Sequence, residues 1–125
     1  MKLILDENKA TLDAELIAAI NATAGDRVEI QCIDMNGTLI PSIFVSEGGN
    51  KLTKSNTIVC KGEKRNLLAQ FGSNFVAENI NGLVVLHGDG NVVFTTTQKA
   101  VKERTIDLKQ LLDTQFKLNA FEYEL

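Results

Sequence analysis

The chain has 125 residues, 44% of them hydrophobic and 23% charged, and a formal net charge of −3. A chain of this length buries about two thirds of its unfolded surface without needing a disulfide or a metal, and a composition this close to the globular average excludes general disorder and a coiled coil. The acidic balance, with an isoelectric point near 5.1, excludes a surface built throughout to embrace nucleic acid, because that affinity comes from cations meeting phosphates.

Leu3 to Leu5 predict a short strand, and Leu12, Leu16, Ala19 and Ile20 then recur at helical spacing, with Ile17 widening the face. Asp6 or Thr11 is the expected cap of this first helix, and Gly25 its left-handed close. In Arg27 to Ile33 the residues Val28, Ile30 and Cys32 alternate with polar neighbours, the mark of a strand with one buried face. Asn36-Gly37 follows, a dipeptide suited to a type I′ turn, so Thr38 to Val45 is expected to return as a hairpin. Pro41 has no N–H for a ladder, which predicts an edge or a bulge there.

Ser46 to Asn56, with Gly48-Gly49-Asn50, reads as a long loop. Thr57 to Cys60 reads as a β-branched strand, and Glu63 to Phe71 as a helix closed by Gly72 with Leu67, Leu68 and Phe71 inward. Phe75 to Ile80, Leu83 to His87 and Asn91 to Thr97 predict a three-stranded meander joined by Asn81-Gly82 and Gly88-Asp89-Gly90. A last helix over Ile106 to Lys117 follows from Leu108, Leu111, Leu112 and Phe116, with Thr105 or Asp107 as cap. Phe121, Tyr123 and Leu125 then alternate with Glu122 and Glu124, predicting a terminal strand for the parent sheet or for a neighbouring subunit's interface. No repeat or composition break divides the chain, so residues 1–125 are expected to form one small α+β domain. It would be a hairpin-rich antiparallel or mixed sheet with two to three helices packed on it.

The segment that best concentrates charge is Lys61-Gly62-Glu63-Lys64-Arg65, where a strand passes into a helix start. The free N–H groups and positive dipole end of a helix N-terminus add to the cations Lys61, Lys64 and Arg65, with Lys51 and Lys54 of the long loop as additions. The expected ligand is a phosphate or a nucleic-acid backbone, although the GxxxxGK[ST] spacing of a phosphate-binding loop is absent. Lys99, Lys102 and Arg104 read as a solvated linker.

His87 is the single histidine, and the glycines around it mark a turn. A catalytic His87 would need Asp89 and a nucleophile such as Cys60 to converge with it. Cys32 lies between Ile30 and Ile33, and Cys60 follows Ile58 and Val59, so both are expected to be buried thiols. One histidine and two separated cysteines make no zinc pattern, and no cofactor motif is present. The apolar start ends at Asp6, too soon for an export signal, and the apolar runs are far shorter than the about 20 residues that span a bilayer.

These observations predict a soluble, cytoplasmic, non-catalytic structural or interaction protein with a protein partner or itself as partner, of the kind found among phage accessory proteins. Homo-oligomerisation and no membrane contact are expected. The alternative is a nucleic-acid or phosphate-ligand binder acting through Lys61, Lys64 and Arg65, and an enzyme built on His87 and Asp89 ranks third.

Overall fold

A computed structural model describes residues 1–91, 93 and 94. The expected helix over 106–117, the expected terminal strand with Phe121, Tyr123 and Leu125, and most of the expected strand over 91–97 lie outside the described residues.

The chain runs β1 (Lys2–Asp6), β2 (Lys9–Leu12), α1 (Ala14–Ala19), β3 (Arg27–Met35), β4 (Thr38–Val45), β5 (Asn50–Lys51), β6 (Thr57–Val59), α2 (Gly62–Phe71), β7 (Asn74–Ile80) and β8 (Leu83–Gly88). Among the described residues, all eight strands join one sheet in the order β5-β3-β4-β8-β7-β1-β2-β6, and each of these pairings is antiparallel. The sheet curls until its two edge strands meet, where Asn50 Nδ2 of β5 donates to the Val59 carbonyl of β6 at 2.7 Å. The α+β expectation is therefore corrected: the described residues form a nearly closed antiparallel barrel, with 47% of them in strands and 17% in helices. Helices do not layer on an open sheet because the sheet covers its own apolar face.

The hairpins set the register. Asn36 and Gly37 both have positive φ (55° and 87°), as do Asn81 and Gly82 (52° and 90°), the type I′ geometry that suits twisted strands. In each turn the glycine N–H donates to a side chain three residues back, Gly37 to Asp34 Oδ1 at 2.8 Å and Gly82 to Asn79 Oδ1 at 2.9 Å. Ile80 thus faces Leu83 and Val76 faces His87. Inward residues such as Leu3, Ala10, Leu12, Cys32, Ile43, Phe75 and Leu86 form the core, joined by Leu16 of α1, by Leu67, Leu68 and Phe71 of α2, and by Phe94. The Phe71 and Phe94 rings lie 4.8 Å apart.

Four local expectations change. The first helix starts two residues later than Leu12, because Ala10 and Leu12 alternate inward on β2, and its cap is Asp13, whose Oδ1 accepts from Leu16 N at 2.9 Å. Asn21, at φ 56°, takes the left-handed position that was expected of Gly25. Pro41 lies in β4, an interior strand, opposite Cys32, and its missing donor is tolerated because the β4–β8 ladder registers one pair, Ser42 with Val85. The long loop also contains β5, pressed against β3 at Gly49, where a Cβ would meet the Val28 main chain.

Candidate functional site

The barrel's seam is its least complete part, since β5 spans two residues and β6 three. A cleft of about 80 Å³ opens there, walled by Val28, Ile30, Ile58 and Leu68 and rimmed by Glu29, Asn50, Cys60, Lys61 and Lys64. The strand-to-helix turn picked out in the sequence therefore does border a concavity. It is a small one, far below the few hundred Å³ of an ordinary small-molecule site.

The cations are placed unequally. Lys61 is exposed at the N-cap of α2, where no side chain caps the helix. Lys64 Nζ reaches Glu29 Oε2 at 3.9 Å, with the two side chains 48% and 19% exposed, so part of its charge is already answered. Arg65 Nε donates to the Glu7 carbonyl at 2.8 Å. Glu7 has φ +52° in the β1–β2 turn, a conformation that costs a non-glycine residue free energy unless its surroundings hold it. Arg65 supplies that hold, and Cys60 N adds a bond to the Asn8 carbonyl at 2.8 Å. Arg65 thus ties α2 to a hairpin rather than extending a cationic face. Lys51 lies on β5 at the seam and Lys54 in the turn before β6, both exposed.

Both thiols are free and buried. Burial pushes Cys32 well above the ordinary thiol range. Burial also raises Cys60, with Lys64 and Arg65 pulling partly the other way.

Of the residues of the enzyme reading, Cys60 does not join the other two. Cys60 follows β6 at the seam, whereas His87 is on β8, four strands from β6 in either direction around the barrel. His87 Nε2 lies 2.9 Å from Glu78 Oε1 on the outer surface. Asp89 is engaged elsewhere: its Oδ1 accepts from Ser73 N at 2.9 Å and Asn74 N at 3.2 Å, and its Oδ2 from Asn74 Nδ2 at 3.0 Å. The Asn74 side chain and these N–H groups hold its carboxyl below the usual value. Among the described residues, no group of three or more His, Cys, Asp or Glu is placed to hold a metal ion. Among them, too, no helix is long and apolar enough to cross a membrane.

A second concavity was not foreseen from the sequence. A groove of about 540 Å³ runs over β1, β7 and the end of β8, lined by Lys2, Ile4, Val76, His87 and Asp89 among others. Ile4 and Val76 point outward from neighbouring strands and are 49% and 57% exposed. The register Lys2 to Val76 and Ile4 to Asn74 makes the two apolar side chains diagonal neighbours. Ile4 is hidden within the run Leu3-Ile4-Leu5, but the Asn81-Gly82 turn carries enough information to place Val76 beside His87.

The chain matches no protein-family model, no curated protein and no solved structure.

Proposed function

We propose that the protein is a non-catalytic interaction domain that self-associates through the outer face of β1 and β7. The observation that carries this reading is the pair Ile4 and Val76, adjacent and about half exposed on strands whose inward side chains are fully packed. Lys2 borders the pair on one side and Glu78, His87 and Asp89 on the other. A second copy related by a two-fold axis would lay apolar on apolar and set Lys2 opposite the acidic side, as an isologous contact requires. A cytoplasmic setting accompanies the proposal, on the ground that both cysteines are free and buried.

Light scattering behind size exclusion, over a hundredfold range of concentration, tests the reading. The parent chain is expected to show a dimer or a larger fixed assembly, and Val76→Glu with Ile4→Lys to run as a folded monomer. A parent chain that stays monomeric at every concentration overturns it.

A second reading, a phosphate or nucleic-acid contact, is favoured by one feature, the exposed Lys61 at the uncapped start of α2. Binding of this kind weakens steeply with salt, and Lys61→Gln with Lys64→Gln would flatten the slope. Salt-insensitive binding, or none, removes it.

A further inference from the structure

The charged groups on the outer face of β1, β7 and β8 are few, and they are not equally available. The register sets Lys2 opposite Val76 and Val76 opposite His87, so these three form one row across the three strands. Two carboxylates stand beside the row, Glu78 on β7 and Asp89 directly after β8. Asp89 is committed to the main chain and side chain next to it, since both its oxygens accept bonds from Ser73 or Asn74. Glu78 is held differently: its side chain is 58% exposed, and its Oε1 meets His87 Nε2 at 2.9 Å. Glu78 is therefore the carboxylate of this face that can meet a lysine of a second copy, and His87 is the group in contact with it.

His87 acts on that carboxylate in two different ways. A neutral imidazole with its proton on Nε2 donates one hydrogen bond and leaves the charge of Glu78 in place. A protonated imidazole turns the same contact into an ion pair, cancels that charge at close range, and adds a cation to a groove that already holds Lys2. The surroundings of His87 among the described residues do not offset this change. On one side β7 supplies Glu78, on the other β4 has no titratable side chain between Thr38 and Val45, and the groove adds Lys2 and Asp89. Once a second copy displaces water from the groove, the difference between the two states of His87 grows, because the charges then meet in a medium of lower dielectric.

We infer that acid dissociates the assembly formed through this face, with His87 as the switch: neutral His87 lets Glu78 pair with Lys2 of the second copy, and protonated His87 withdraws that pairing and sets cation against cation. The inference rests on the self-association reading and adds its regulation. Protons bind the separated chains in preference to the assembly, so association weakens as pH falls through the ordinary histidine range, about pH 8 to 5.

Self-dissociation constants of the full chain at pH 7.5 and pH 5.5, measured by sedimentation at one ionic strength, test the switch. The parent is expected to dissociate about tenfold more readily at pH 5.5, since a two-fold axis repeats each contact and one exposed ion pair shifts an equilibrium by a few-fold. His87→Gln keeps a hydrogen-bond donor for Glu78 but cannot ionise. It is expected to associate as tightly as the parent does at pH 7.5, and equally at both pH values. A parent dimer that is equally tight at both values, while Val76→Glu still dissociates it, overturns the switch and leaves the interface standing. A His87→Gln chain that weakens with acid as much as the parent also overturns the switch, and assigns the response to other groups or to acid unfolding. A parent that is monomeric at both values overturns the interface and the switch with it.

Discussion

Arg65 shows how a residue that looks like part of a binding site can be structural. Its guanidinium is committed to the Glu7 carbonyl, so Arg65→Ala should cost about 1 kcal/mol by urea denaturation, while leaving any salt dependence of ligand binding as it was. A flattened salt slope without loss of stability would return Arg65 to the anion-binding reading. Asp13 and Asp89 are the carboxylates with the clearest structural duties. Partial burial of Asp13 works against its charge, but the N–H groups of Leu16 and Lys2 outweigh it and hold its carboxyl below 3.8. Asp89 is held below the same value by Asn74 and Ser73. A carboxyl lowered by folding stabilises the protein above its unfolded value and loses that contribution as pH falls through its folded value. Asp89→Asn should therefore be less stable than the parent at pH 7, with the difference narrowing below about pH 4. Urea midpoints at pH 7 and pH 3 check this, and a constant difference would count against it.

At the scale of elements, the hairpins were legible because their information is local. Asn-Gly supplies two positive φ angles, and a two-residue turn fixes every pair that follows. α2 was legible from Leu67, Leu68 and Phe71 with Gly72 behind them. β2 was not, since Ala10 and Leu12 are two alternating residues beside a helical spacing, and the Glu7-Asn8 turn contains no glycine to announce it. β5 was hidden for the same reason, a two-residue strand inside a polar loop. Closure of the barrel lies beyond any local pattern, because it depends on β5 meeting β6. The candidate cations were legible as a cluster, but their partners Glu29 and Glu7 are distant in sequence. The seam itself makes a prediction. Asn50→Ala removes the Asn50–Val59 hydrogen bond that links β5 to β6, which should cost about 0.5–1.5 kcal/mol. Amide exchange should speed at Lys51 and Val59 before it does in β7 and β8. Uniform acceleration would mean that the seam opens only with the whole barrel.

For the molecule as a whole, the thiols report on integrity. Cys32 faces the core from an interior strand and Cys60 borders the seam. In the native protein at pH 8, Cys60 should react with a disulfide reagent before Cys32, whose modification should wait for unfolding. Lys64→Gln should slow Cys60 further, because Lys64 lowers its pKa. Equal rates for the two thiols would indicate that the barrel opens as one unit. The two Asn-Gly turns carry a different kind of record. Ageing at such a sequence begins when the main-chain nitrogen of the glycine attacks the asparagine amide, and here both nitrogens are occupied, Gly37 by Asp34 and Gly82 by Asn79. The geometry that builds the hairpins thus also shields them from deamidation while they stay folded. The gain of one mass unit at Asn36 or Asn81 becomes a tally of the time each hairpin has spent open, accumulated over the protein's lifetime.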